Sequence, residues 1–468
     1  MVRRQPNRAL ALLLTEAEWN AAELARAVNA LGKAQGMALR YDRTSVAHWL
    51  TGSRPRPPVP DLVASAFSRR TERLVTAQET GLADPGHPAD ELPLPSPDST
   101  DDAAARLTVL ARADTDPAHR PQLTVTAYSL SAIDALAWNP ARPTPGRPTP
   151  GRPWATKGLV SAKEIQALRE TCQVFTDLME RHGGAHARSA LASYLADDTS
   201  RLLAAPAEPA LRRELFTVAA QLTHILARMT IDAGHPGLAQ GYFTTALDLA
   251  SEADDRRMYA ITLRAMSLQA LRLGFHEKAA QLADTALDAA GPSSDPATLA
   301  FLLSQRAVTH AHARQRRRAL DDLSAAEIQH SRATQRTDPF DAYPRAGLEY
   351  QRGQTFLALG NPEQAARSFT SSAAARGDDR RRSGALTHAR LAATLLPLGR
   401  LEESCVHWNV FLDHYPSLRL AAADDAVTYL SRSLYRHRHQ SQVAAVLLRA
   451  RTLTRTGSPP AQGRGPGR

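Results

Sequence analysis

A repeated pattern of small residues, turn residues and bulky residues in the second half of this 468-residue chain restricts its fold more than any other feature. Five segments align on a turn position, with spacings of 40, 40, 46 and 39 residues. Small residues recur seven places before the turn and five places after it, and mostly bulky apolar residues recur nine places after it. Such a period indicates supersecondary units that must stack to bury their apolar faces. The turn positions are Gly234, Gly274, Arg314, Gly360 and Gly399.

Helical periodicity dominates the chain, and alternating strand patterns are almost absent, so we expect an all-α fold. The repeated pattern resembles the tetratricopeptide repeat, which implies an α-solenoid of helical hairpins over residues 206–455. A weaker sixth unit is expected near Val443 and Ala444. In this architecture small residues let paired helices cross closely, while larger residues fill the gaps between units.

The geometry of such repeats turns one side of each first helix towards an inner face. The predicted inner positions could hold a peptide or protein effector, and a solvated polar surface is the alternative interpretation. These candidate partner-binding residues are His224, Arg228, Arg264, Tyr350 and Gln354.

Residues 1–82 carry 12 basic and 7 acidic side chains and have the pattern of a small helical bundle. Asn20 and Glu23 form the pattern of an N-cap with its capping-box partner. Asp42 is placed to cap a short third helix of about nine residues, and Gly52 is placed to end it. Proline residues then keep the chain extended up to a fourth helix, which we expect at 62–70 with Asp61 as its cap.

The third predicted helix has a polar outer face. With Val46 directed into the core, a rotation of 100° per residue turns Thr44, His48 and Thr51 outward, with Ser45 beside them. Arg43 lies at the N-terminal end of the helix. Short side chains that can donate and accept hydrogen bonds suit a helix that enters the major groove of DNA.

The segments "AAELARAVN" and "RTSVAHWLTGSRP" resemble the helix-turn-helix of the XRE class, which includes phage-repressor-like regulators. The resemblance covers about 80 residues and implies that double-stranded DNA is a partner. The connection "NALGKAQGMALRY" is longer than the tight turn of that class, and its usual glutamines are missing from the reading helix. One short helix buries little DNA surface, so we expect a homodimer on a two-fold site. The implied DNA-binding residues are Arg43, Thr44, Ser45, His48, Thr51, Arg54 and Arg56.

Changes in composition divide the chain into further segments. An acidic linker with six acids and no base follows the first domain at 83–105, and a Pro/Gly/Arg linker is expected at 139–158. Between them lies a helical bridge, 106–138. A helical hairpin interrupted by "HGGAHAR" is expected at 159–205, and a disordered basic tail at 456–468.

Several classes of function lack their sequence motifs. We find no nucleotide-binding glycine loop, no HExxH and no GxSxG, so we expect no enzyme and no cofactor. His182 and His186 have no third ligand spaced with them, and Cys172 and Cys405 stand alone, which predicts no metal site. The apolar runs are too short for a membrane span. The expected location is the cytoplasm, with association to the nucleoid.

The order of modules, an XRE-like reader followed by tetratricopeptide-like repeats, resembles a group of actinobacterial transcriptional regulators. Some members of that group repress sporulation and antibiotic production. The resemblance implies a repressor-type regulator of development or secondary metabolism, whose repeats dimerise or sense a peptide or protein. The alternative is a tetratricopeptide interaction scaffold whose N-terminal bundle does not bind DNA.

Overall fold

The computed structural model describes residues 6–34, 39–56, 59–71, 75, 77, 79–82, 102–126, 128–130, 133, 136, 138, 160–334, 340 and 342–457. Within these residues all regular secondary structure is helical. No helix among them is long and apolar enough to cross a membrane. The chain divides into two compact units, 1–175 with 187–294, and 176–186 with 295–468.

The first helices of the first unit form a small bundle around one apolar core. Leu10, Leu24, Val46 and Phe67 are fully buried in it, and Leu82 closes it. The helix α3 packs on α1 and α2, while α4 packs on α2. The bounds are α1 Arg8–Glu16, α2 Ala21–Ala34, α3 Arg43–Leu50 and α4 Val59–Thr71.

Two of the predicted caps are confirmed, and one is corrected. The Asn20 side chain accepts from the backbone of Glu23, whose carboxylate accepts from the Asn20 backbone, as a capping box requires. The Asp42 side chain caps α3. Helix α4 begins at Val59 rather than at 62, so Asp61 lies in the first turn and is not the cap. Pro60 fits this first turn because a backbone N–H there would have no partner within the helix.

The rest of the first unit consists of helices of which α10 to α13 pack in sequence order. Helix α7 begins in this unit, and its last residues belong to the second unit. The bounds are α5 Ala103–Thr115, α6 Arg120–Thr124, α7 Ala162–His182, α8 Arg188–Tyr194, α9 Ser200–Ala204, α10 Pro209–Asp232, α11 Pro236–Glu252, α12 Arg256–Arg272 and α13 His276–Ala290.

The predicted helical bridge is an integral part of this unit. Helix α5 packs against α11 and against the segment 188–204. The guanidinium of Arg188 donates to both carboxylate oxygens of Asp114, at 2.6 and 2.9 Å, and the Tyr242 hydroxyl donates to Asp114 Oδ2 at 2.7 Å. All three side chains are buried. A buried carboxylate needs a partner such as Arg188, because removal of the guanidinium would leave its charge uncompensated.

The second unit consists of further hairpins. The last pair, α20 and α21, forms the weaker sixth hairpin that the sequence suggested. The bounds are α14 Pro296–His312, α15 Arg316–Arg332, α16 Arg345–Ala358, α17 Pro362–Ala374, α18 Arg381–Leu395, α19 Leu401–His414, α20 Ala421–Leu434 and α21 Ser441–Gly457.

The hairpin turns confirm the repeat pattern. Every predicted turn residue has a positive φ, from 58° at Arg314 to 90° at Gly274, as expected at a helix end in the left-handed conformation. The small residues lie at the helix crossings: a Cβ on Gly353 would lie 2.5 Å from Phe369 Cε1. Ser267 likewise donates to the carbonyl of Ala279, across the turn of its own hairpin. The all-α fold with tetratricopeptide-like helical hairpins is therefore confirmed.

Candidate functional site

The short helix α3 is held by its cap and by one apolar edge. The Asp42 carboxylate accepts from the Ser45 backbone N–H at 2.8 Å, and Ser45 Oγ accepts from the Asp42 backbone at 3.3 Å. The hydrogen bond from the Ser45 backbone, and then the one from the Ser45 hydroxyl, lower the pKa of Asp42. Val46 and Trp49 are buried beneath the helix. Because a helix of eight residues has little stability of its own, these contacts fix its position.

Asn29, in the middle of α2, ties the segment before α3 to the bundle. Its Nδ2 donates to the Tyr41 carbonyl at 2.7 Å, and its Oδ1 accepts from the Tyr41 N–H at 2.9 Å. The ring of Tyr41 then meets the edge of Trp49, with centroids 5.0 Å apart. The orientation of α3 therefore depends on an amide side chain twelve residues before Tyr41.

Asn7 performs a similar task at the other end of α3. Its backbone N–H donates to the Leu50 carbonyl at 2.9 Å, and its side chain donates to the Thr80 carbonyl and accepts from the Leu10 N–H. A cleft of about 570 Å³ opens beside these contacts. Arg8 and Arg54 line this cleft, which lies between the start of α1 and the end of α3.

The outer face of α3 is exposed and polar. Thr44, His48 and Thr51 are exposed together with Ala47, so the structure brings these three predicted residues onto one surface. Ser45 differs, because its hydroxyl donates to Asp42 at 2.8 Å and is half-buried in the cap. Its contribution is to hold the helix start in place.

Cations surround this polar face. The predicted residues Arg43, Arg54 and Arg56 are exposed, and Arg40 is exposed just before the helix. Asp42 is the acid nearest to Arg40 and Arg43 in sequence, and its Oδ1 accepts the two hydrogen bonds of the cap. On the side opposite its buried residues, α3 thus presents hydrogen-bonding side chains, with exposed arginines near both ends of the helix.

The sequence analysis missed three of these residues. Arg8 and Arg40 are further exposed arginines near α3. Asn29 fixes the orientation of α3 through its hydrogen bonds to Tyr41. The signal for Asn29 was available, since asparagine is a poor helix former and stands in the middle of the alanine-rich α2. No sequence signal showed that Arg8 lies beside the end of α3, because residues 17–42 separate the two helices.

In the first unit, the predicted partner-binding residues are largely withdrawn from the surface. His224 is buried, lies 3.1 Å from Thr262 Oγ1 through its Nδ1, and meets the Phe243 ring edge-on. Burial lowers the pKa of His224, and the nearby charges of Arg228 and Arg264 lower it further. Arg264 is also buried, and Arg228 is half-buried. His224 and Arg264 therefore serve the interior of the unit, and we remove them from the set of partner-binding candidates.

In the second unit, Tyr350 and Gln354 remain half-exposed. Gln354 Nε2 donates to the Tyr350 hydroxyl at 3.2 Å, and Gln354 Oε1 accepts from Arg390 Nε at 2.8 Å. The guanidinium of Arg376 lies 5.9 Å from the Tyr350 ring centroid. Two successive hairpins thus share a polar chain in which Arg390 is exposed.

Within the described part of the chain, no group of three or more histidine, cysteine or acidic side chains is arranged to hold a metal ion. Cys172 and Cys405 are both buried, and neither forms a disulfide. His388 and His407 face each other with their Nδ1 atoms 3.0 Å apart, so one ring donates a hydrogen bond to the other.

Comparisons with known proteins give three results. The family described as the SP15 N-terminal domain matches residues 10–83. No curated protein matches the chain. Among solved structures, a chain in the crystal structure of the APC/C hetero-tetramer Cut9-Hcn1 is similar, with 15% identity and a TM-score of 0.33. The match covers 61% of this chain and 48% of that one, so it spans about half of the solved chain.

Proposed function

We propose that this protein is a DNA-binding transcriptional regulator that reads duplex DNA through α3. One observation carries the proposal: the exposed face of α3 combines Thr44, His48 and Thr51, and exposed arginines lie before and after it. Short polar side chains permit close approach to base edges, and the surrounding arginines suit phosphates.

The roles divide between the two groups of residues. Thr44 and His48 contact base edges, while Arg54 and Arg56 contact the DNA backbone beyond the end of the helix. Ser45 acts through the cap, because its hydroxyl is engaged by Asp42. The buried edge formed by Val46 and Trp49 keeps the reading face turned outward.

A second candidate function is favoured by the size of the repeat region. Hairpins occupy residues 209–457, with exposed polar residues such as Arg390 on them. Stacked hairpins provide an extended surface for protein partners. A protein-interaction scaffold whose N-terminal bundle does not bind DNA is therefore the alternative, and repeats that bind partners are also compatible with a DNA-binding regulator.

The test is selection of bound sites from random duplex DNA by the full-length protein. We expect a two-fold motif that is lost when Thr44→Ala and His48→Ala are combined. A matched control combines Thr15→Ala and Arg26→Ala, which change exposed residues of α1 and α2 in the same bundle. The control should retain the motif. Absence of any enriched motif, with only salt-sensitive binding, would favour the scaffold.

A salt titration separates the two roles. Arg54→Gln and Arg56→Gln should weaken all sequences alike and flatten the dependence of affinity on salt by about one unit per lost phosphate contact. His48→Ala should instead cost about 1–3 kcal/mol at one base position. Equal effects of both kinds of change on every sequence would contradict this division of roles.

A further inference from the structure

The C-terminal end of the second unit contains a pocket of about 260 Å³ between the end of α18 and the helix α20. Its lining combines two apolar residues, two residues with hydroxyl groups and two arginines. The lining residues are Leu396, Pro397, Tyr429, Arg432, Ser433 and Arg436.

The helix period explains how these side chains meet. Tyr429, Arg432 and Arg436 follow one another at three and four residues along α20 and the turn of 3₁₀-helix after it, so they share one face. Leu430 and Leu434 point the other way and are fully buried. The packing of α20 therefore fixes the positions of the arginine side chains at the pocket.

The sequence at this end of the chain is strongly basic. From Ser431 to the end of the chain there are eight arginines and no acidic residue. The acids of α20 lie at its opposite end, where Asp424 accepts from the Tyr415 hydroxyl at 2.8 Å. Asp425 adjoins it there, and its pKa is raised by burial and by the charge of Asp424.

Exposed aromatic rings accompany these cations. Tyr429 is 46% exposed and Tyr435 is 52% exposed, which is high for large rings on a packed helix. The guanidinium of Arg438 lies over the Tyr435 ring, 4.6 Å from its centroid. Tyrosine and arginine are the residue types most enriched where proteins bind one another.

We propose that this pocket binds an acidic peptide segment of a partner protein, with an aliphatic side chain on Leu396 and Pro397 and flanking carboxylates on Arg432 and Arg436. Arginine pairs well with carboxylates because its planar fork offers two parallel donors. The Ser433 hydroxyl donates to the Leu430 carbonyl at 3.3 Å, and its oxygen can accept from a peptide N–H. The proposal rests on the interaction role of the repeats and does not depend on DNA binding by α3.

The shape of the pocket favours a peptide over a nucleic acid. Single strands bind along a continuous groove of cations with a succession of stacking rings. Here a single small pocket combines two arginines with Leu396 and Pro397, which suits one aliphatic side chain next to carboxylates.

The experiment measures fluorescence anisotropy of labelled peptides with the full-length protein. The probe is a short synthetic peptide with one leucine between glutamates. A matched peptide carries glutamine in place of each glutamate, and another carries serine in place of the leucine. We expect the acidic leucine peptide to bind about tenfold more tightly than either relative, with an affinity that falls as salt rises.

Variants locate the site. Combining Arg432→Gln with Arg436→Gln should weaken binding about tenfold. Tyr429→Ala removes the ring that lines the pocket together with Leu396 and Pro397, so it should reduce the preference for leucine over serine. The matched control, Arg316→Gln with Arg318→Gln, removes two exposed arginines of α15 and should leave binding unchanged. The variant with alanine at Thr44 and His48 should also bind the peptide normally, which separates this proposal from the one on DNA.

Two results would overturn the proposal. One is peptide binding that the Arg432 and Arg436 variants leave intact, which would locate the contact elsewhere. The other is tighter binding of a labelled single-stranded oligonucleotide at the same arginines, which would assign the surface to nucleic acid.

Discussion

The N-terminal bundle and the repeat hairpins position their helices by contacts of different range. In the bundle, Asn7 donates to the Thr80 carbonyl, 73 residues away in sequence. In the hairpins, Ser267 bonds to Ala279 and Ser404 bonds to Ala392, each across 12 residues and one turn. The first arrangement depends on the whole bundle, whereas the second is repeated unit by unit. The surface proposed to read DNA is therefore the more sensitive to changes at a distance.

This comparison predicts how far the structural effect of a substitution extends. A stacked hairpin contacts mainly its neighbours, so loss of one contact there should remain local. Loss of a contact in the bundle should alter α3, because the helix has few contacts of its own. The following changes test that difference, from the largest expected effect to the smallest.

The largest effect is expected from Phe369→Ala, because Phe369 is fully buried against Gly353 in the second unit. Loss of the ring should lower the free energy of unfolding of that unit by about 3–5 kcal/mol. Hydrogen exchange followed by mass spectrometry should show faster exchange in α16 and α17. The exchange rate of the N-terminal bundle should equal that in the natural protein. Val406→Ala is the control, since that side chain is 59% exposed and should change stability by less than about 0.5 kcal/mol. Faster exchange in α3 of the Phe369 variant would contradict the local account.

Asn29→Ala should have a smaller cost but a wider consequence. It removes both hydrogen bonds to Tyr41 and should destabilise the bundle by about 1–3 kcal/mol. DNA affinity should fall although Asn29 does not lie on the outer face of α3. Asn29→Asp retains the acceptor and loses the donor, so thermal unfolding should place it between the alanine variant and the natural protein. Unchanged DNA affinity in a destabilised alanine variant would contradict the claim that the hydrogen bonds between Asn29 and Tyr41 orient α3 for DNA binding.

Opposite effects are expected at equivalent turns of the hairpins. Arg314 has φ 58°, a conformation that glycine adopts without strain, so Arg314→Gly should stabilise the second unit by about 1 kcal/mol. Gly274→Ala should destabilise the first unit by a similar amount, about 1 kcal/mol. No atom lies within 4 Å of a Cβ added at Gly274, so its cost comes from the backbone alone. Urea unfolding of both variants measures the change in the free energy of unfolding. Changes of the same sign in the two variants would refute the turn assignment.

The smallest effect concerns acid stability. Burial, and then the charge of His407, lowers the pKa of His388 to about 4. Since the pKa in the unfolded chain is about 6.5, the folded state binds this proton less well. Its contribution to stability is therefore complete above about pH 6.5 and is lost as the pH falls towards about 4. His388→Gln should show a smaller drop in melting temperature between about pH 7 and pH 5 than the natural protein. His439→Gln, at an exposed position, should show the same drop as the natural protein.

The sequence predicted those parts of the fold that depend on neighbours along the chain. The caps at Asn20 and Asp42 and the turns from Gly234 to Gly399 are local, so a few residues determine them. The start of α4 was wrong by three residues, because Pro60 was interpreted as extended chain although it also fits a first helical turn. The exposed face of α3 followed from the helix period once Val46 was taken as buried.

Other features depend on distant contacts that no local pattern contains. The burial of His224 arises from Thr262 and Phe243 on neighbouring helices, and the repeat geometry alone placed it on an inner surface. The role of α5 depends on the pair Asp114 and Arg188, which are 74 residues apart. The pocket at Arg432 and Arg436 was visible in sequence only as an excess of arginine.

Hydrogen–deuterium exchange of the full-length protein with and without duplex DNA tests the central proposal most directly. The proposal predicts added protection in peptides that cover residues 39–56 and the start of α1, and no change in the hairpins from 209 to 457. In the variant with alanine at Thr44 and His48, the protection at 43–51 from a selected DNA site should disappear. Protection confined to the hairpins, or none at all under conditions where DNA is bound, would contradict reading by α3.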